Sequence, residues 1–384
     1  ILGWYILVET QSVFLLTIFA SLQYLGTLIA PMFGVMGDRI GHRLLLAGMR
    51  AVYATCATTI MALAYTGLLT PALVLAIAAV MGMVRPSDIG MRAALVGETM
   101  PPGQLIGAMG IQRTTQDSAR IAGALSGAGL VALLGMGPAY TVVAGFYVAS
   151  VLLTLKAGSG RAAARPAAGG AHAAELTSPW RDLRAGLAYV WNTPFLLAVM
   201  CLAFLLNMTA FPVSHSLLPY VAKEVYGADQ QTLGYMVAGA ASGALLASIV
   251  VSRIAHAIRP ARVTIVACIA WYAVLLIFAQ APDPAIGIPV LFFVGCAQSV
   301  SQVPMAAMLL RNSNEQFRGR IMGIRMLALY GNIPGLLISG PLIASFGYPA
   351  TATIYCMAGI AFTIFIAVRW RASLWRLAAP ANIR

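Results

Sequence analysis

Eleven runs of mostly apolar residues, each about the length needed to cross a bilayer, are the strongest constraint on what this chain can fold into. They lie near 12–36, 44–66, 72–95, 104–134, 138–156, 194–213, 231–252, 262–281, 286–310, 318–345 and 348–369. A hydrocarbon core of roughly 30 Å requires about 20 apolar residues of helix. Only 9% of the 384 residues are charged, against roughly a quarter in soluble domains. A soluble globular fold is thereby excluded, and an all-α membrane protein is expected. The net charge of +13 does not point to nucleic acid, because such binders cluster basic residues on a polar surface. Here the partner of the basic residues is the lipid bilayer.

Lys and Arg near span ends sort to the cytoplasmic side. One set of connections carries Arg39 and Arg43; Lys156, Arg161, Arg165, Arg181 and Arg184; Arg253, Arg259 and Arg262; Arg311, Arg318 and Arg320; and Arg369, Arg371, Arg376 and Arg384. The alternate set carries Lys223 alone. A multi-pass protein of the cytoplasmic (inner) membrane is expected, with its central connection and C-terminus in the cytoplasm.

The longest connection, 157–178, is Ala, Gly and Arg with almost no large apolar residue, and reads as a linker that cannot bury a core. Ser178 and Pro179 then form a helix start. Trp180, Leu183, Leu187, Val190 and Trp191 share one face of the helix that follows, with Arg181, Asp182 and Arg184 off it. Such a pattern predicts a short helix lying on the membrane surface. The expected domains are therefore 1–156, a first bundle; 157–193, linker and surface helix; 194–371, a second bundle; and 372–384, a tail.

The two bundles repeat one another. At an offset of 213, Gly82 falls on Gly295, Met109-Gly110-Ile111 on Met322-Gly323-Ile324, and Ser126-Gly127 on Ser339-Gly340; at 214, Arg39-Ile40 falls on Arg253-Ile254 and His42 on His256. Transporters are often built from duplicated halves with the substrate site between them. Under this register the span at 194–213 has its counterpart before residue 1. A twelve-helix protein whose first helix is absent from this chain is the expectation, the first bundle holding helices 2 to 6 and the second helices 7 to 12.

Between the first two spans stands Gly34-Val35-Met36-Gly37-Asp38-Arg39-Ile40-Gly41-His42-Arg43. It resembles the signature loop of the major facilitator superfamily, G-x-x-x-D-(R/K)-x-G-(R/K)-(R/K), with His42 where a basic residue is usual. Gly34, Asp38, Arg39, Gly41 and Arg43 are the gate residues this resemblance implies: glycines for a tight turn, Asp38 to latch positive helix ends or arginines. Trp4-Tyr5, Ser118-Ala119-Arg120-Ile121-Ala122-Gly123 and Arg318-Gly319-Arg320-Ile321-Met322-Gly323 are similar to the enterobactin exporter and drug exporter branch. Gly123-Ala124-Leu125-Ser126-Gly127-Ala128 departs from the G-P-x-x-G-G of many antiporters. Gly123 and Gly127, Gly239 and Gly243, and Gly331 and Gly335 are small-residue pairs suited to helix packing.

A charge at the bilayer centre costs on the order of 2.5 to 3.5 kcal/mol, which makes intramembrane ions functional candidates. Arg85 and Asp88 lie in one span, Arg113, Asp117 and Arg120 in the next, and the two spans meet at Pro101-Pro102. Residues equally far from that turn lie at similar depth, which predicts crossed pairs, Asp88 with Arg113 and Asp117 with Arg85. By the family resemblance, Asn207, Gln298, Ser301 and Gln302 join Arg85 and Asp88 in facing the substrate cavity, with Arg113, Asp117, Arg325 and Asn332 alongside. Hydrogen bonding between helices is an equally good reading of Asn207, Gln298 and Asn332.

A primary pump needs G-K-(S/T), yet Lys156 and Lys223 are followed by Ala and Glu. An embedded enzyme needs a cluster, yet His42, His172, His215 and His256 are scattered, and the five cysteines show no metal or disulfide spacing. The sequence therefore predicts a monomeric secondary transporter without cofactor or metal, exporting a small amphipathic or anionic molecule by proton coupling. An uptake permease or a non-transporting sensor would carry the same motifs.

Overall fold

The computed structural model describes residues 1–27, 29, 32–33, 36, 40–99, 105–156, 179–254, 259–311, 325 and 327–376. Among these, every regular element is helical: α1 (Leu2–Thr10), α2 (Val13–Leu22), α3 (His42–Tyr65), α4 (Pro71–Thr99), α5 (Leu105–Leu134), α6 (Met136–Lys156), α7 (Pro179–Asn192), α8 (Pro194–Phe211), α9 (Gln230–Ile254), α10 (Pro260–Ala279), α11 (Pro284–Arg311), α12 (Asn332–Arg369) and α13 (Arg371–Arg376). Nine described helical stretches are long and apolar enough to cross a membrane, and Val13–Thr27 is a shorter apolar one.

Local chemistry sets the ends of these helices. Pro71, Pro194, Pro260 and Pro284 open their helices, where a missing N–H costs nothing. The Asp283 carboxylate accepts from Ile286 N–H at 3.0 Å at the start of α11. Asp229, just before α9, accepts from the Thr232 amide at 2.9 Å and hydroxyl at 2.7 Å, and these bonds hold its carboxyl below the usual carboxylate range. Gly41, at φ 96°, precedes α3; only a residue without a side chain adopts that backbone readily. The long helix α12 is broken at Gly347 (φ 77°, ψ 169°), with Pro349 two residues on, so it holds the two spans expected to part between 345 and 348.

One expected boundary is corrected. The span ending near 213 continues to Val225, because Pro212 and Pro219 do not end the helix but open it. Pro219 has no N–H and would press on the His215 carbonyl in α geometry. The chain instead adopts π turns at Pro212–Ser216 and Val221–Val225, with Leu217 N–H reaching Pro212 O at 3.0 Å and Tyr226 N–H reaching Val221 O at 2.9 Å.

The helices cluster into two compact units. One comprises Ile1–Ser21, Asp117–Gly129 and Leu183–Arg384; the other Leu22–Gln116 and Leu130–Asp182. In the first, α9 packs on α11, α10 on α11 and α8 on α12, around fully buried Trp271, Tyr272, Phe278 and Leu206. Small residues set these distances. A side chain on Gly243 would strike Phe292 O, on Gly295 Ala240 O, and on Gly335 Met208 O. Gly239 and Gly331 are similarly enclosed by backbone, so two of the three expected small-residue pairs are close helix contacts. In the third pair, Gly127 touches only the Ile1 side chain and Gly123 has open space. In the second unit α3 packs on α6 and α4, with Leu46, Met49 and Tyr53 buried against Tyr147. There Gly82 meets Leu22 O and Gly26 meets Met83 O.

Candidate functional site

Of the gate loop, Gly41 and Arg43 are described, while Gly34, Asp38 and Arg39 lie outside the described residues. Gly41 has the left-handed backbone that the motif's glycine implies.

In α4, Asp88 is 6% exposed and its carboxylate is paired with the guanidinium of Arg92. One turn separates the two, the spacing at which helix neighbours meet. The side chain of Arg113, the expected partner of Asp88, lies outside the described residues. Arg85 donates to the side-chain oxygen of Gln23. Arg50, in α3, donates to the hydroxyl of Ser150 in α6. Asp117 is 3% exposed and belongs to the other unit, with Arg120.

In that unit the polar candidates fall into three groups. His215, in the first π turn, shares a hydrogen bond with Gln298 of α11, ring Nε2 to amide Nε2 at 3.0 Å. Phe211 stacks on the imidazole at 5.4 Å between ring centroids, and Trp271 meets Phe211 edge-on at 5.3 Å. The second group is Arg325, which reaches Gln302 Oε1 at 3.4 Å. In the third, Asn332 donates to Asn207 Oδ1 at 2.8 Å, and Asn207 donates to Ala203 O at 2.8 Å.

The three groups differ in what they have left to offer a ligand. Asn207 and Asn332 are buried and largely satisfy one another, tying α8 to α12, though Asn332 Oδ1 has no partner among the described residues. Ser301 is fully buried, and its hydroxyl donates to Gln298 O in its own helix at 2.8 Å. His215 and Gln298 are held at a helix irregularity of a kind frequent at functional sites. His215 lies beyond the expected end of its span near 213, and so is not among the residues expected at the site. A polar ring one turn after Phe211, flanked by two prolines in otherwise apolar sequence, was the available signal.

Eleven apolar stretches, a repeated set of glycine contacts and polar groups held inside the spans describe a transporter architecture, and the sequence matches the model of the Major Facilitator Superfamily over residues 1–333 and 216–379. The chain belongs to the major facilitator superfamily. It is accordingly a multi-pass membrane transporter rather than an enzyme. No curated protein matches this facilitator at a significant level. Among solved structures it is similar to a variant of the nucleoside transporter NupG, with a TM-score of 0.71 at 16% identity over 97% of this chain and 94% of that one. It is also similar to a D-xylose–proton symporter, with 0.71 at 12% identity over 92% and 87%. A third likeness is to the human organic anion transporter MFSD10, with 0.63 at 18% identity over 92% and 83%. At these identities the likeness is one of fold, and it bears out the two-bundle facilitator architecture expected from the sequence.

Proposed function

We propose that this facilitator is a proton-coupled secondary transporter that exports a small amphipathic or anionic molecule across the cytoplasmic membrane by alternating access. The observation carrying the coupling is the burial of two carboxylates, Asp88 and Asp117, within spans. An ionised carboxylate is costly there unless compensated, so Asp88 depends on Arg92, and a change in that contact would let it take a proton. The His215–Gln298 and Arg325–Gln302 groups supply donors and acceptors for a polar substrate, while partly exposed Phe211, backed by buried Trp271, offers aromatic surface. Arg325 suits an anionic portion of the substrate. The export direction rests on the exporter-branch motifs of the sequence.

Substrate accumulation in everted and right-side-out vesicles tests direction, and substrate-driven proton flux tests coupling. Asp88→Asn and Asp117→Asn are expected to abolish the proton flux of whichever carboxylate carries it. Unimpaired flux in both variants would refute the proposal.

A further inference from the structure

A second kind of site lies away from the polar groups. Leu187 of α7, Cys201, Phe204 and Met208 of α8, Ala328, and Phe365 and Trp370 at the end of α12 enclose an apolar groove of about 560 Å³. Its size falls within the range of small-molecule sites, about 300 to 1,000 Å³. The groove is continuous with apolar surface: Phe362, Phe365 and Val368 on α12 are all exposed.

Cations stand beside the groove. The Arg369 guanidinium packs over the Trp370 ring, 5.6 Å from its centroid, and that ring is itself part of the groove wall. Arg371 opens α13, and Arg184 lies one turn before Leu187 on α7, hence on the same side of that helix. α8, α12 and α13 contain no Asp or Glu, and α7 contains one, Asp182. An apolar groove with arginines beside it matches a molecule with a hydrocarbon chain and an anionic head. Basic pockets between membrane helices bind anionic lipid head groups, and arginine is well suited to phosphate.

We propose that this groove binds one anionic phospholipid, an acyl chain between α7, α8 and α12 and the phosphate at Arg369, Arg371 and Arg184. The site is independent of the transport reading, and a bound lipid would fasten the amphipathic helix α7 to the end of α12.

Cys201 lies in the groove wall and reports on its occupancy. In the purified full chain with the other four cysteines replaced by Ala, maleimide labelling of Cys201 is expected to be at least threefold slower in phosphatidylglycerol nanodiscs than in phosphatidylcholine nanodiscs of the same acyl chains. Native mass spectrometry is expected to show one tightly retained phosphatidylglycerol. Arg369→Gln with Arg371→Gln should restore the labelling rate and lose that one equivalent. Ala328→Phe should slow labelling in both lipids by filling the groove, and should lose the same equivalent. Equal labelling in the two lipids, or a phosphatidylglycerol effect that survives the arginine substitutions, would overturn the proposal. The arginines are on the surface, so this variant decides the matter even if Ala328→Phe fails to fold.

Discussion

α4 and α11 are the same helix written twice with different chemistry. At the offset of 213, Thr70-Pro71 matches Asp283-Pro284, and both pairs start their helices, Thr70 accepting from Leu73 N–H at 3.4 Å and Asp283 from Ile286 N–H at 3.0 Å. Gly82 matches Gly295, and each is pressed against the backbone of a neighbouring segment, at Leu22 and Ala240. The correspondence ends at the polar positions: where α4 has Arg85 and Asp88, α11 has Gln298 and Ser301 at the matching positions. Packing requires the shared residues, while the charges are dispensable to the helix itself, since its twin forms without them. What differs between the copies is therefore where function is to be sought.

The largest effect expected from this comparison concerns the glycines. Gly82→Val and Gly295→Val should each prevent recovery of monodisperse protein or lower stability by more than about 3 kcal/mol, because overpacking against backbone exceeds the usual range of about 1 to 3 kcal/mol. Size-exclusion profiles and thermal unfolding in detergent check this, and a benign outcome in one copy would break the structural equivalence.

Next come the polar positions. Asp88→Asn should reduce substrate-driven proton flux by about tenfold or more, whereas Ser301→Ala should leave flux within about twofold. Equal losses would erase the functional contrast between the helices. Ser301 donates to a carbonyl of its own helix, so its loss should cost about 1 kcal/mol.

A smaller effect is expected where α8 meets α12. Asn207→Ala and Asn332→Ala should each destabilise by about 1 to 3 kcal/mol, since a buried partner is left unsatisfied. A double-mutant cycle read by thermal unfolding should return a coupling of at least about 0.5 kcal/mol. Full additivity would mean that the bond contributes nothing to stability.

The smallest concerns the caps. Asp283→Ala should cost about 1 kcal/mol, and Thr70→Ala less, in keeping with its longer bond. A reversed order, measured by the same unfolding assay, would show that the two starts are not equivalent.

Much of this was legible from sequence because the bilayer imposes simple rules. The spans, the break at Gly347 and the Pro179 helix all follow from apolar length, glycine and proline. In α7 the predicted apolar face is only partly covered: Val190 is buried while Trp191 is 72% exposed, as suits a helix lying at a surface. The polar contacts were harder to read. Counting depth from Pro101 looks only across helices, and so leaves out the contact that Asp88 makes with Arg92 one turn away. Gln23 as the acceptor for Arg85 and His215 as the partner of Gln298 depend on how helices face each other, and a linear pattern does not encode that.

The two π turns of the Pro194–Val225 stretch have a last consequence. Each accommodates one residue more than regular α geometry, which sets the angular phase of everything beyond it back by about 100°. Residues preceding Pro212 and those following Val225 therefore do not share the azimuth that an unbroken helix would assign them. A helical wheel drawn through this segment from end to end would set Asn207 and Lys223 on wrongly related sides, and any cysteine-accessibility scan of it needs its periodicity reset at each turn.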